Sequence, residues 1–177
     1  MSSADATLKL LGGSLADRIR RSDARRLRHF ARGCAWFALR KTNLADDTLE
    51  SALRAEDGAD SASLVESVRR IVKNLDAEGF KLREAHERGA ASLEDYLRAF
   101  SRARAAESVL AQLEEADPVA AASRAAYEAR AATDDPRSLA VIARSLQPTL
   151  NRVQGPIDVD VWGSTCRIAR AEAQACS

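Results

Sequence analysis

Leu64, Val65, Val68, Ile71, Val72, Leu75, Gly79, Leu82 and His86 recur at three- and four-residue intervals among polar neighbours. At about 100° per residue they gather on one side of a helix. The stripe predicts a helix from Ser61 or Ser63, either of which can cap it, to about Arg88. Gly79 inside the stripe implies that another backbone approaches closely there. "ERGAAS" ends the helix, with Gly89 as its terminal residue.

The same periodicity runs from about Ser14 to Lys41, where Leu15, Ala16, Ile19, Leu27, Phe30, Cys34 and Phe37 share a side. This predicts one long helix. Asp23 falls within its apolar side, where a carboxylate needs a cation such as Arg26 or Arg20. "TNLADDT" breaks the pattern, and a shorter helix follows with Leu49, Ala52 and Leu53 inward, ending in the loop "EDGAD".

Ser92, with Asp95 three residues on, resembles a shortened capping box opening a helix to about Ala116. Its expected inward face is Tyr96, Phe100, Ala103, Leu110 and Leu113. Asp117–Pro118 and Asp135–Pro136 are two cap-then-proline helix starts, the second leading to a helix through about Leu146. "QPTLNRVQGP" reads as a linker, "IDVDVW" alternates like a short edge strand, and "STCRIARAEAQA" reads as a final helix. The expected fold is all-α, a compact bundle of six to seven helices with a short extended segment near the C-terminus. Residues 1–150 form the helical bundle domain, and 151–177 a C-terminal segment packed on it.

Composition strengthens the helical reading. Alanine supplies 36 of the 177 residues and arginine 23, against only eight glycines and four prolines; alanine and arginine are strong helix formers. Arginine so far outnumbers lysine, at four, that the usage matches that of a high-GC bacterium. A net charge of +1 gives no global field to recruit nucleic acid or membrane. The charge is uneven, however. Residues 1–45 hold ten Lys/Arg against three Asp/Glu, and residues 46–66 seven acids against Arg54. No window reaches the ~20 apolar residues of a membrane span, and no secretory signal pattern opens the chain. Three cysteines, Cys34, Cys166 and Cys176, show no CxxC spacing, which fits a reduced, cytoplasmic setting.

Candidate chemistry concentrates in "RRSDARRLRHFARGCAWFALRK". Arg18, Arg21, Arg25, Arg28 and Arg32 recur at helical spacing, and Trp36 continues the row with Arg40 one turn beyond. On a single helix they make one basic stripe with an aromatic platform, suited to phosphates or to an acidic protein. The bland alternative is a solvated face whose arginines pair with the acidic 46–66 segment. His29 and Cys34, five apart, do not share a helix face as metal ligands would, and His86 is remote from both. No HExxH, GxxxxGK[ST], GxGxxG or GxSxG occurs, so no metal, cofactor or catalytic residue is expected. Glu78, Arg104 and Glu107 lie on or near apolar stripes, where a buried polar cluster could form.

The passage "CAWFALRKTNL" and the Ala/Arg-rich style are loosely similar to helical proteins of actinobacteria, some of immunity or accessory type. The likeness covers short scattered stretches and transfers no functional residue. The function expected is therefore non-enzymatic binding of another protein through Arg18, Arg21, Arg25, Arg28, Arg32, Trp36 and Arg40. A homodimer is a further expectation. A nucleic-acid-binding regulator using the same face ranks second, and a small-ligand-binding bundle or an enzyme without a recognisable motif third.

Overall fold

In the computed structural model the described residues are 3–55, 61–135 and 142–146, all within the first compact unit, Met1–Gln147. The linker, the alternating "IDVDVW" segment, the final helix and the Pro136 helix start lie outside them.

The first helix, α1 (Ser3–Leu11), buries Leu8 and Leu11 and stops at Gly12. Gly12 adopts φ 92°, a left-handed conformation that glycine accepts without a Cβ clash. Helix α2 (Gly13–Arg21) follows, burying Ala16 and Ile19. It does not run on. Ser22 and Asp23 are extended at ψ 148° and 161°; the Ser22 hydroxyl donates to the Arg18 carbonyl at 2.8 Å. Asp23 then accepts from the Arg26 backbone N–H at 2.9 Å and opens α3 (Ala24–Lys41). The expected single helix over 14–41 is thus two helices, and Asp23 is an exposed N-cap rather than a buried acid.

Asp46 caps α4 (Asp47–Arg54) by accepting from the N–H groups of Thr48 and Leu49 at 2.9 and 3.1 Å. Helix α5 (Ser61–Glu87) ends at Gly89, φ 72°, whose N–H donates to the His86 carbonyl at 2.8 Å. Ser92 caps α6 (Leu93–Glu114) from the Asp95 N–H at 3.1 Å, as the capping-box spacing predicts. Asp117 accepts from Val119 and Ala120 and opens α7 (Pro118–Thr133) with proline in its first turn. A short 3₁₀ turn, Ala143–Leu146, closes the described chain.

The seven α-helices of the described residues make an all-α bundle. Ion pairs fix the directions: Arg69–Glu114 and Arg104–Asp76 set α5 antiparallel to α6, and Arg104–Glu128 and Arg124–Glu107 set α6 antiparallel to α7. Helix α3 lies against α6 and α7, α1 against α7, and α4 against α5 and α6. Leu8, Ile19, Leu27, Phe30, Leu49, Leu53, Val68 and Val109 are fully buried at the centre. Around them alanines such as Ala31, Ala35, Ala106, Ala122 and Ala125 let helix backbones approach closely. Gly79 is a different case. A Cβ built there meets nothing within 4 Å, so among the described residues no backbone presses on it and the expected close approach is absent.

Candidate functional site

The break at Ser22–Asp23 divides the basic row. Arg18 and Arg21 belong to α2, while Arg25, Arg28, Arg32, Trp36 and Arg40 belong to α3. They are not one helical stripe. Within α3, Arg25, His29, Arg32, Trp36 and Arg40 recur at three- and four-residue spacing along one ridge, whereas Arg28 turns to its flank.

Arg28 and Arg32 serve the fold. The Arg28 guanidinium donates to the carbonyls of Gln112 at 3.5 Å, Glu115 at 2.7 Å and Ala116 at 2.5 Å. These oxygens lie at the C-terminal end of α6, where carbonyls lack helical partners and negative partial charge accumulates. Arg32 donates to the Ala55 carbonyl at the end of α4, at 3.4 Å. Two carboxylates of the acidic 46–66 segment are engaged within their own helices, Glu50 with Arg54 at 2.6 Å and Glu66 with Arg69 at 2.6 Å.

The ridge is the outward part. Trp36 is half-buried against the core, with the guanidiniums of Arg40 and Arg54 at 5.8 and 5.5 Å from its ring centroid. Arg21 and Arg25 are exposed and make no ion pair among the described residues. His29, between Arg25 and Arg32, registers the local field: burial first, then the charges of Arg32 and Arg25, hold its imidazole below the ordinary histidine range. Arg54 is a member that sequence reasoning missed, because it reaches Trp36 from a different helix.

Cys34 faces the core and is fully buried, and that burial pushes its thiol well above the usual range. His86 donates from Nδ1 to the Ala91 carbonyl at 3.1 Å, tying down the α5–α6 turn. Among the described residues no group of three His, Cys, Asp or Glu side chains could hold a metal ion. No described helix is long and apolar enough to cross a membrane.

A polar cluster does form beside the α6–α7 contact. Arg104 bridges Asp76 and Glu128, and Arg124 bridges Glu107, Glu114 and Glu115. Arg104 and Glu107 join it as their stripe positions imply, but Glu78 is exposed and stays outside. Every member has an opposite charge beside it, the arrangement of paired structural charges. One face has the contrary character. Phe80, Leu93, Leu97 and Phe100 are exposed by 64, 51, 49 and 38% at the outer end of the α5–α6 hairpin. Phe100, expected inward, is therefore on the surface. Its spacing from Leu93, Leu97 and Arg104 marks a second stripe, rotated from the core-facing one.

Comparison of the chain with protein-family models, with curated proteins and with solved structures gives no match.

Proposed function

We propose that the protein is a non-enzymatic helical binding module, working in the cytoplasm, that takes an acidic protein partner on the outer ridge of α3. The observation that carries this reading is Trp36 held between the guanidiniums of Arg40 and Arg54, in line with exposed Arg25. Tryptophan and arginine dominate binding hot spots, because each offers a large face and directed donors at modest entropic cost. Arg21 and Arg18 extend the basic surface from the end of α2. Arg28 and Arg32 contribute by holding α6 and α4 in place rather than by touching the partner.

A phosphate backbone would draw on the same arginines. With Arg28 and Arg32 already donating to helix-end carbonyls, the row it could track is short, and the protein reading is favoured. The test is affinity capture with the whole chain from lysate of its source cells, alongside Trp36→Ala and an Arg25→Glu, Arg40→Glu double variant. A protein retained by the wild type and lost from both variants supports the proposal. Sequence-specific duplex binding at physiological salt, lost in the same variants, would replace it with a nucleic-acid reading.

A further inference from the structure

We propose that the outer end of the α5–α6 hairpin is a self-association surface, on which a second copy of this chain docks antiparallel about Phe80. The surface begins where α7 stops. Glu128 of α7 pairs with Arg104 of α6, and α7 ends five residues later at Thr133, level with about Ala99 in an antiparallel pair at ~1.5 Å per residue. Leu93 and Leu97 continue the α6 stripe beyond that point, and Phe100 stands level with it, with Phe80 beside them on α5. A second hairpin end laid here extends the helix-on-helix packing that α7 supplies lower down.

Charge selects the occupant. The outer hairpin neutralises itself: Arg83 pairs with Glu87 at 2.9 Å, Arg88 with Glu84 at 3.9 Å, and Arg98 with Glu94 at 2.8 Å. Nothing there recruits a strongly charged partner. Lys73 and Glu87 stand seven residues before and after Phe80, two helical turns each way on one face of α5. Lys73 is exposed and makes no ion pair among the described residues. Two-fold docking about Phe80 sets Lys73 of each copy across from Glu87 of the other, where it adds a second cation to the exposed Arg83–Glu87 pair. Asp76 and Glu84, four residues either side, also meet, but each arrives with its own arginine, Arg104 and Arg88. A face complementary to its own inverted copy is what an isologous interface requires. This surface is separate from the α3 ridge, so the two proposals stand or fall independently.

The test is sedimentation equilibrium of the full chain over a range of concentrations. The mass should rise toward twice 19.2 kDa, whereas Phe80→Glu and Leu97→Glu, substitutions at exposed sites, should hold it at one chain with the helical circular-dichroism signal unchanged. Lys73→Glu should weaken the dimer several-fold, and Lys73→Glu combined with Glu87→Lys should restore it. A wild type that stays monomeric, or a dimer indifferent to Phe80→Glu and Leu97→Glu, overturns the proposal and leaves the face to a different protein. A dimer that ignores Lys73→Glu overturns the antiparallel arrangement.

Discussion

Arg28 and Arg25, three residues apart on α3, have opposite fates, and substitution should separate them. Arg28 donates to three carbonyls at the end of α6, and losing a charged donor from partly buried acceptors costs about 1.5–3 kcal/mol. Arg28→Met should lower unfolding stability by that amount in urea denaturation. Arg28→Lys should recover only part, because an ammonium cannot fork across several acceptors. Arg25→Ala, at an exposed side chain, should stay within about 0.5 kcal/mol. His29 gives a second expectation, whose sign follows from its lowered pKa. Between that lowered value and the ordinary ~6.5 the unfolded chain binds a proton that the folded chain does not, so stability falls as pH drops through this window. His29→Gln should flatten that part of the stability–pH curve just below pH ~6.5. An acidic partner seated on the ridge should raise the His29 pKa, readable by NMR titration with and without the captured protein.

The helices themselves were largely legible, and the exceptions have physical causes. Asp46, Ser92 and Asp117 each accept from backbone N–H groups two or three residues on, as their sequence contexts announce. The break at Ser22–Asp23 was hidden because Ile19 and Leu27 stay in helical phase across it and no proline or glycine marks it. Its signal was Asp23 itself, a good cap read as a misplaced core acid. Helix α1 went unassigned since nine residues carry too few apolar positions to show a period. Gly79 was over-read: with open space around a built Cβ, Gly79→Ala should stabilise α5 by about 0.5–1 kcal/mol in denaturant melts. The polar cluster offers a sharper contrast. Burial raises the Glu128 pKa above its ordinary value, against the pull of Arg104. The folded state thus holds that proton more tightly than the unfolded chain, so Glu128 contributes more stability as pH falls toward the usual carboxylate range. Glu128→Gln should be near neutral at pH 7 and fall behind the wild type in acid. Arg104→Met, which strands Asp76 and Glu128 together, should cost about 3 kcal/mol, the low end for a broken buried pair.

At the scale of the whole molecule, α3 is enclosed by three other helices, and Cys34 reports on it. The side chain is fully buried, and α3 is covered by α6, α7 and α4. Exposing its thiol therefore means separating several helices, not fraying an end. Reaction with a thiol reagent needs both access and the thiolate, and burial pushes the Cys34 pKa up and so withholds the second as well. With Cys166→Ser and Cys176→Ser removing the other thiols, native Cys34 should label at least about a thousandfold more slowly than in the unfolded chain. The rate should rise with urea as steeply as global unfolding does, because the same surface is uncovered in both. A shallow dependence would mean that α3 opens locally, and the ridge carrying Arg25, Trp36 and Arg40 would then be a mobile surface. With a steep one, those side chains stand on an element that opens only with the whole fold, so a partner docking there loses little affinity to ordering the ridge.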